Sequence, residues 1–374
     1  MSTHYNDKEN CKLSVIIPCY NEEKTLNKCI DNVLQISDEY LSLEIIIVDD
    51  YSDDNSYKIA CDLENQYQEI SVFKHNINQG KGAALRTGFN KAKGDYVAVQ
   101  DADLEYDPQD LKKLIVPLRS NDADVVFGSR FLSSGAHRVL YFWHYLGNRF
   151  LTLLSNIFTD LNLTDMETCY KIFRREVIQN IKIEENRFGF EPEIVAKVAQ
   201  MRLRIYEMGI SYHGRTYAEG KKIGIKDGIR ALYCIFRYNA HKAPIPIQFF
   251  LYLFIGGVAA TINYIIFLSL FSFGYNIFVA SPVAFIISAI VNYYLCILIL
   301  FRHKIRWGAL LEVFIFTLIV FIGAFIDLII TSMLFNTVRS IKFAKIISIG
   351  FLLIYNFIAR RFLVFPEKTV KPWE

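Results

Sequence analysis

Three carboxylates at alternating positions, Asp101, Asp103 and Glu105, directly follow the short apolar run 96–100. On an extended backbone alternate side chains point to the same side, so these three would face one ligand. Carboxylate oxygens together with substrate phosphates suit Mg²⁺ or Mn²⁺. An Asp-x-Asp pair is common by chance, but its position after a buried strand favours a site. We therefore predict that Asp101 and Asp103 are catalytic metal-binding residues and that Glu105 is a third metal ligand.

Three other polar segments occur where predicted strands end or a predicted helix begins. They are PCYNEE at 18–23, VDDYSDDNS at 48–56 and NQGKGAALRTGF at 78–89. The Gly-Lys-Gly of the last segment lacks the Walker A spacing and by itself indicates only a tight turn into a helix. Ligands of parallel sheets bind beyond the carboxyl ends of the strands. The residues expected to converge there in one cleft are Pro18, Asp49, Asp50 and Asp101.

The segments that would position these residues alternate between strand-like and helix-like patterns. Short apolar runs predict buried strands at 13–18, 43–48, 70–75, 96–100 and 124–128. Apolar residues at helical spacing predict helices at 21–34, 53–67 and 81–92. This order predicts an α/β, Rossmann-like, mostly parallel sheet with helices on both faces.

The composition indicates an enzyme-like first part joined to a membrane part. Of the 374 residues, 52% are hydrophobic, and the excess lies after residue 247. The net charge of +3 gives no support for nucleic-acid binding. Seven scattered cysteines without a Cys-x-x-Cys pair favour buried thiols in a reducing compartment. The polar segment 1–12 lacks the apolar core of a secretory signal, so the first part is predicted to be cytosolic.

Four apolar segments, 249–273, 277–301, 309–335 and 343–362, each exceed the roughly 20 residues that a membrane helix needs. The basic clusters at 302–306 and 360–371 predict that both termini are cytosolic, in the plasma membrane if the source is prokaryotic. Asp327 lies inside the third segment. We interpret it as a helix–helix hydrogen-bonding residue, with Asn263 or Asn292 as partner and a functional role as the alternative.

Two amphipathic segments, 136–163 and 225–238, are predicted to lie at the bilayer surface, where aromatic and cationic residues settle. A pair of core helices is the alternative for the first segment. The second comes just before the predicted membrane helices.

The segment 13–238 resembles family-2 glycosyltransferases of the GT-A fold, in particular the dolichol-phosphate mannose synthase and polyprenyl-phosphate glycosyltransferase group. The matching stretches are SVIIPCYNEE, IIIVDDYSDDNS, NQGKGAALRTGF, DADLEYDP, VVFGSRF, TDMETCYKIFRREV, FGFEPEI and ISYHGRTYAEGKKIGIKDGIRAL. The apolar segments resemble the GtrA-type membrane domain of some members. The predicted organisation is a GT-A domain at 1–223, an amphipathic interfacial helix and linker at 224–246, a GtrA-like domain with four transmembrane helices at 247–365 and a cytosolic tail at 366–374.

The resemblance implies roles for individual residues. Those implied in nucleotide-sugar binding are Pro18, Tyr20, Glu22, Asp49, Lys81, Arg215, Lys221 and Lys222. Arg130 is implied in catalysis, near the diphosphate and the acceptor phosphate. Arg138 and Arg149 are further candidates for the acceptor phosphate, and anchoring to lipid headgroups is their alternative role.

The reaction implied is the metal-dependent, inverting transfer of a single sugar from a nucleotide-sugar to a polyprenyl or dolichyl phosphate at the cytosolic membrane face. GDP-mannose and UDP-glucose are the donors favoured, with UDP-linked amino sugars left open. An acceptor phosphate is already largely ionised near neutral pH, so His213 is interpreted as structural rather than as a base. A homo-oligomer is compatible with the sequence.

Two departures from the family pattern concern the donor. Tyr51 stands where many relatives have Gly, and Glu105 stands where many mannosyl-transferring relatives have Gln, which leaves the sugar undecided. A processive polysaccharide synthase is disfavoured because Arg306-Trp307 lacks the Gln of the expected motif. A glycolipid-translocating membrane protein with an inactive or regulatory front domain is the alternative from another class.

Overall fold

The computed structural model describes residues 10–132, 139, 141–214, 224–296, 309–338, 340–359 and 363. The chain forms two compact units, Met1–Tyr238 and Asn239–Glu374. The first unit is an α/β domain, and the described part of the second unit is helical.

The first unit is built around one seven-stranded sheet. Its strands are β1 (Cys11–Cys19), β2 (Leu41–Asp49), β3 (Ile70–Lys74), β4 (Tyr96–Val99), β5 (Val125–Ser129), β6 (Lys171–Arg174) and β7 (Ile205–Gly209). Their spatial order is β3-β2-β1-β4-β6-β5-β7, in which β6 runs antiparallel to both neighbours while the other pairs are parallel. The predicted mostly parallel α/β sheet is thus confirmed.

Helices connect the strands and cover the sheet. Those of the first unit, within the described residues, are α1 (Leu26–Leu34), α2 (Ser56–Gln66), α3 (Lys81–Lys91), α4 (Gln109–Leu114), α5 (Val116–Arg119), α6 (Phe142–Thr159), α7 (Arg175–Gln179), α8 (Phe190–Met201) and α9 (Ile225–Asn239).

The core explains why the predicted elements form. The side chains of Val15, Ile16 and Ile17 in β1 are all fully buried, as expected for a parallel strand covered on both faces. Helix α3 lies directly against this strand because Gly88 has no side chain, and a Cβ there would overlap Ile16. Close packing of α3 on β1 fixes the position of the residues at the amino end of α3.

Strands β6 and β7 were not predicted from the sequence. The β6 sequence KIFR is four residues long and begins with Lys171, a fully buried lysine, so it lacks the apolar run of a core strand. Strand β7 has the sequence IYEMG and is partly exposed at the edge of the sheet. Strand β5 lies between them and forms backbone hydrogen bonds with both, antiparallel to β6 and parallel to β7.

Within the described residues of the segment 136–163, α6 is one long helix and not a pair of core helices. Phe142, Trp143, Phe150 and Leu153 expose between 56% and 77% of their surface, so this face of α6 is not covered by the first unit. The position of this face at the bilayer surface stays a prediction.

Helix α9 lies within the segment 224–246 that was predicted as an amphipathic interfacial helix and linker, and by its packing it is part of the first unit. Cys234 and Tyr238 are fully buried. The hydroxyl of Tyr238 donates to Glu185 at 2.9 Å, and Arg230 Nε donates to the same carboxylate at 3.1 Å. These contacts explain why the compact first unit extends to Tyr238.

The described helices of the second unit are apolar and long. They are α10 (Ile245–Ser272), α11 (Ile277–Leu295), α12 (Ala309–Val338) and α13 (Ile341–Ala359). All four contain a stretch long and apolar enough to cross a membrane by length and composition. The protein is therefore an integral membrane protein.

Asp327 lies on α12 and is fully buried, as its apolar surroundings predict. The interpretation as a helix–helix hydrogen bond is correct, but the suggested partners Asn263 and Asn292 are wrong. The carboxylate instead pairs with Lys345 of α13 and accepts hydrogen bonds at 2.6 Å from Ser281 and from Ser348. A buried lysine in an apolar helix is the partner because an uncompensated charge there would be costly.

Candidate active site

The loops after β1 and β2 form one polar corner at the carboxyl edge of the sheet. The backbone N–H of Asn21 donates to Ser52 Oγ at 3.1 Å, and that of Asp53 donates to Asn21 Oδ1 at 2.9 Å. The backbone N–H of Glu22 donates to Ser56 Oγ at 2.7 Å. These reciprocal bonds hold the PCYNEE and VDDYSDDNS segments together, as the sequence predicted.

The predicted nucleotide-binding residues of this corner differ in exposure. Pro18 is half-buried in β1, and Tyr20 is exposed, with its hydroxyl 3.5 Å from Asp53. The carboxylate of Glu22 accepts a hydrogen bond from Thr25 at the start of α1. Asp49 is fully buried, and its Oδ2 accepts from the backbone of the following turn at 3.3 Å. Asp49 therefore supports the turn, while Tyr20 offers an exposed ring.

Asp50 joins the loop after β2 to the loop between β3 and α3 at this edge. Its carboxylate accepts hydrogen bonds from the backbone N–H groups of Gln79 at 2.9 Å and Gly80 at 2.6 Å. It also lies 2.6 Å from His75 Nδ1. Gly80 has a φ of +102°, and a Cβ there would overlap the backbone of Asn186, so the turn before α3 needs glycine. The sequence placed Asp50 in the cleft without assigning it this supporting role.

Lys81, the first residue of α3, reaches the acidic segment after β4. Its Nζ lies 3.0 Å from Asp101 and 3.1 Å from Glu191, which is in the first turn of α8. Burial opposes the charge of Lys81, but Asp101 and Glu191 offset that effect and raise the pKa of Lys81 well above its usual value. Lys81 is therefore a fixed cation at the predicted site.

The acidic segment forms a turn instead of the extended backbone that the sequence suggested. Leu104 has a φ of +63°, and the backbone N–H of Glu105 donates to Asp103 Oδ1 at 3.2 Å. Asp101 pairs with Lys81, so the three carboxylates do not point to one side. Within the described residues, no group of three His, Cys, Asp or Glu side chains is placed to hold a metal ion. The expected set of three protein ligands is therefore not assembled.

Arg130 follows β5 and is held by a buried carboxylate. Its Nε and Nη2 donate to the two oxygens of Asp165, each at 2.7 Å. Asn148 of α6 contacts the same carboxylate at 3.4 Å. Burial alone would raise the pKa of Asp165, but Arg130 lowers it below its usual value, so the pair is ionised. This bidentate pair fixes the plane of the guanidinium.

Tyr212 links Arg130 to the acidic turn. Its hydroxyl donates to Glu105 Oε2 at 2.8 Å, and its ring lies 5.1 Å from the guanidinium carbon of Arg130. Tyr106 forms a β-bridge with Tyr212, which ties the end of the acidic turn to the segment after β7. Arg130 and Glu105 are thus neighbours through Tyr212, although their sequence motifs lie far apart.

Two acids lie behind these residues. Glu167 is half-buried, and its Oε1 is inaccessible to solvent and has no hydrogen-bond partner among the described residues, as is also true of Glu191 Oε2. Burial, with repulsion from Glu191, raises the pKa of Glu167 to about 8. Lys171 donates to the backbone carbonyls of Met166 and Thr168. Glu167 is therefore expected to hold a proton at neutral pH.

The side chains of two predicted residues, Arg149 and His213, are not part of this arrangement. Arg149 is exposed on α6, next to Asn148. The imidazole of His213 is exposed, while its backbone N–H donates to the carbonyl of Glu105. Outside the described residues lie Arg138, Arg215, Lys221 and Lys222.

The residues that sequence reasoning missed are the partners of the cations, Asp165, Glu191 and Tyr212. All three lie within quoted motifs, namely TDMETCYKIFRREV, FGFEPEI and ISYHGRTYAEGKKIGIKDGIRAL. For Glu191 a signal was available: the otherwise apolar stretch FGFEPEI contains two acidic residues, and a buried carboxylate needs a cation.

Two family profiles match separate parts of the chain. Residues 14–182 match the family described as "Glycosyl transferase family 2", and residues 251–365 match "GtrA/DPMS, transmembrane domain". The two matched segments fall in the first and second compact units, respectively. The sheet order and the apolar helices confirm the predicted mostly parallel α/β unit and, within the described residues, the four apolar helices that follow it.

Curated relatives align with the first part of the chain. A dolichol-phosphate mannosyltransferase of Pyrococcus furiosus is 30% identical over 219 residues, which are 57% of this chain and 60% of the relative. The low-salt glycan biosynthesis hexosyltransferase Agl6 of Haloferax volcanii is 30% identical over 58% of this chain and 51% of its own length. The dolichyl-phosphate beta-glucosyltransferase ALG5A of Trichomonas vaginalis is 27% identical over 60% of this chain and 72% of its own length. The chain thus spans between half and three fifths of the first two relatives.

Among solved structures, a glucosyl-3-phosphoglycerate synthase of Mycobacterium tuberculosis in complex with Mn²⁺, uridine diphosphate and glucosyl-3-phosphoglycerate overlaps with a TM-score of 0.49. The sequence identity is 18% over 62% of this chain and 81% of that chain. Overlap at this level supports no conclusion about ligands.

Proposed function

We propose that this chain, which carries a family-2 glycosyltransferase domain followed by a GtrA/DPMS transmembrane domain, is a polyprenyl- or dolichyl-phosphate hexosyltransferase. It would transfer one sugar, mannose or glucose, from GDP-mannose or UDP-glucose to the lipid phosphate at the cytosolic membrane face, with inversion. The names of its relatives support the lipid acceptor and the hexose. Both termini would be cytosolic. The GT-A domain would comprise 1–223, the interfacial helix and linker 224–246, the transmembrane domain 247–365 and the cytosolic tail 366–374.

The observation that carries this proposal is the pair of positioned cations around the acidic turn. Lys81 is fixed by Asp101 and Glu191, and Arg130 is fixed by Asp165. Both cations are preorganised, so they would stabilise charge on a diphosphate without the cost of reorienting during the reaction.

The reaction needs one bond to form and one to break. An oxygen of the lipid phosphate attacks the anomeric carbon, and the bond from that carbon to the nucleotide diphosphate breaks on the opposite side. The lipid phosphate is already largely ionised near pH 7, so no side chain must remove a proton. Lys81 and Arg130 would hold the two phosphate groups, and Tyr212 would keep Arg130 and Glu105 at a fixed separation.

A divalent cation at the acidic turn would be coordinated jointly by the protein and by the substrate phosphates, and not by protein ligands alone. Mg²⁺ commonly binds through one or two carboxylates and completes its shell with phosphates and water. Asp103 is half-exposed at the turn, whereas Asp101 is already paired with Lys81. We propose Asp103 as the main protein ligand, with Asp101 or Glu105 as a second. Bound Mg²⁺ or Mn²⁺ would offset negative charge on the departing diphosphate.

The apolar surface of α6 suits a lipid acceptor. Trp143 is 77% exposed and Phe142 is 64% exposed on a helix whose neighbouring residue Asn148 contacts Asp165. Aromatic side chains of this kind settle at the membrane–water interface, where a lipid phosphate resides. We propose that α6 brings the Arg130 side of the site to the headgroup layer.

The test uses the purified full chain with a panel of nucleotide-sugars and one polyprenyl phosphate. Asp103→Asn is compared with Asp107→Asn, a control in the same segment whose exposed carboxylate caps α4. The proposal expects nucleotide diphosphate release that depends on the lipid and a divalent metal and is lost in Asp103→Asn alone. Full activity of Asp103→Asn would show that the metal assignment is wrong, and absence of lipid-dependent turnover with every donor would overturn the function.

A further inference from the structure

A buried carboxylate in the loop between α7 and α8, Glu185, is bound by two residues of helix α9. Glu185 is 3% exposed. The hydroxyl of Tyr238 donates to its Oε1 at 2.9 Å, and Arg230 donates to its Oε2 through Nε at 3.1 Å and also through Nη2. Burial alone would raise the pKa of Glu185, but these two donors lower it below its usual value, so the carboxylate is ionised. The reaction proposed for the site gives this carboxylate no role.

The backbone of this loop packs against the first turn of α3. A Cβ on Gly82 would overlap the carbonyl oxygen of Glu185, so only glycine allows the loop to come so close. The backbone N–H of Ala83 donates to the carbonyl of Asn186 at 3.1 Å. The loop therefore determines where the first turn of α3 lies, and with it the backbone of Lys81.

The same loop also positions one of the two carboxylates that pair with Lys81. Glu193, fully buried in the first turn of α8, accepts hydrogen bonds from the backbone N–H groups of Glu184 at 2.7 Å and Glu185 at 2.8 Å. Glu191, in the same turn, lies 3.1 Å from Lys81 Nζ. A shift of the loop would therefore displace both the backbone of Lys81 and one of its counter-ions.

Helix α9 contacts the loop from the side opposite to α3. A Cβ on Gly189 would overlap Cys234 Sγ of α9, so the two segments touch directly. The side chain of Arg230 is half-exposed, and its neighbours Ile229 and Tyr233 are exposed apolar residues. The loop is thus held between α3 on one side and an amphipathic helix on the other, and the carboxylate of Glu185 is its charged link to that helix.

We propose that Glu185 is a positioning residue for the donor nucleotide: by joining the loop 183–189 to α9, it keeps Lys81 in the geometry that binds the diphosphate. The contact between Lys81 and the diphosphate rests on the proposed function. Glu185 itself touches no substrate. Arg130 is held separately by Asp165, so binding of the lipid phosphate on that side should not depend on Glu185.

The test compares four variants of the full chain in lipid nanodiscs. Glu185→Gln keeps the shape of the side chain and removes its charge, while Arg230→Gln and Tyr238→Phe each remove one donor. Lys226→Gln is the matched control, because it removes a positive charge from an exposed position of α9 one turn before Arg230. The quantities measured are the KM for nucleotide-sugar and for polyprenyl phosphate, the Kd of GDP and of UDP with Mg²⁺, and amide hydrogen exchange of the segment 80–85 without ligand.

Glu185→Gln should raise the KM for nucleotide-sugar and the Kd of the nucleotide diphosphate about tenfold, the size of one weakened charge-assisted hydrogen bond. The KM for polyprenyl phosphate should not change. Amide hydrogens of the segment 80–85 should exchange faster, because the loop no longer fixes the first turn of α3. Arg230→Gln and Tyr238→Phe should shift the same quantities in the same direction, and Lys226→Gln should shift none. Tyr238→Phe removes a single hydroxyl and keeps the test valid where Glu185→Gln does not fold.

A rise of both KM values together, or a lower melting temperature with unchanged nucleotide affinity, would show a general structural role and overturn the proposal. Unchanged hydrogen exchange of the segment 80–85 in Glu185→Gln would also overturn it, as would an equal effect of Lys226→Gln. A wild type that transfers no sugar would overturn the proposed function, whereas the coupling of Glu185 to the first turn of α3 is decided by hydrogen exchange, which needs no substrate.

Discussion

The pair formed by Arg130 and Asp165 allows stability and catalysis to be separated. Asp165 is fully buried and accepts three hydrogen bonds from Arg130, two from the guanidinium at 2.7 Å and one from the backbone at 3.0 Å. Asp165→Asn keeps the shape of the side chain but leaves the guanidinium without its counter-charge. Breaking a buried pair from one side costs about 3–5 kcal/mol.

The same substitution should also slow sugar transfer. Without the bidentate carboxylate the guanidinium is no longer held in one plane, so it would meet the diphosphate or the lipid phosphate in many orientations. Loss of one preorganised charge-stabilising group typically lowers kcat by about 10²–10³-fold. We expect a decrease in this range in Asp165→Asn, measured as lipid-linked product at a temperature where the variant remains folded.

A double variant distinguishes the two effects. Arg130→Gln with Asp165→Asn removes both charges, so neither is left buried and unpaired. The melting temperature should recover most of the loss seen in either single variant, because neutral replacement of a buried pair is often tolerated. Activity should not recover. The exposed pair of Lys112 and Asp38 is the control, and Asp38→Asn should cost less than about 1 kcal/mol.

Two results would refute this reasoning. An Asp165→Asn variant with wild-type melting temperature and rate would mean that Arg130 does not depend on the carboxylate. A double variant that regains activity would mean that Arg130 takes no part in the reaction.

Three further predictions concern other sites. Glu167→Gln should flatten the pH dependence of thermal unfolding. The pKa of Glu167 is about 8 in the folded protein against 4.5 ordinarily, so the folded wild type binds an extra proton and its free energy of unfolding falls by up to a few kcal/mol as the pH rises between those values. An unchanged pH slope in the variant would contradict this. Tyr51→Gly should leave the melting temperature equal or slightly higher. Tyr51 is half-exposed at a φ of +65°, and relief of about 1–2 kcal/mol of backbone strain outweighs the conformational entropy that glycine adds to the unfolded chain. A marked fall in the melting temperature would show that the ring stabilises the fold. Asp327→Asn should lower the thermal stability of the detergent-solubilised chain by about 3–5 kcal/mol, because it leaves Lys345 buried without its counter-charge. Adding Lys345→Met should restore the stability. A single variant as stable as the wild type would contradict the importance of this buried ion pair.

Much of the sheet could be predicted because its central strands are apolar and buried on both faces. Strands β1, β2 and β4 are adjacent in the sheet, so the motifs that follow them were expected at one edge. The family resemblance and the four membrane-type helices are likewise confirmed. These features depend on local patterns that a single sequence displays.

The partners of the site residues could not be predicted, because they come from distant parts of the chain. Lys81 and Glu191 are separated by 110 residues, and Tyr212 and Glu105 by 107. The turn at Leu104 was also hidden, since leucine gives no signal for a left-handed backbone conformation. Long-range pairing and local backbone geometry together decide which carboxylates are available to a metal.

The central claim is sugar transfer to a lipid phosphate, and the most direct measurement is the fate of a labelled sugar. The full chain is incubated with sugar-labelled GDP-mannose or UDP-glucose, polyprenyl phosphate and Mg²⁺ or Mn²⁺, and the lipid extract is analysed by mass spectrometry and NMR. We predict a polyprenyl-phosphate hexose of inverted anomeric configuration, which is absent when the metal is chelated. Label that appears only as free sugar, or a lipid product with retained configuration, would contradict the account.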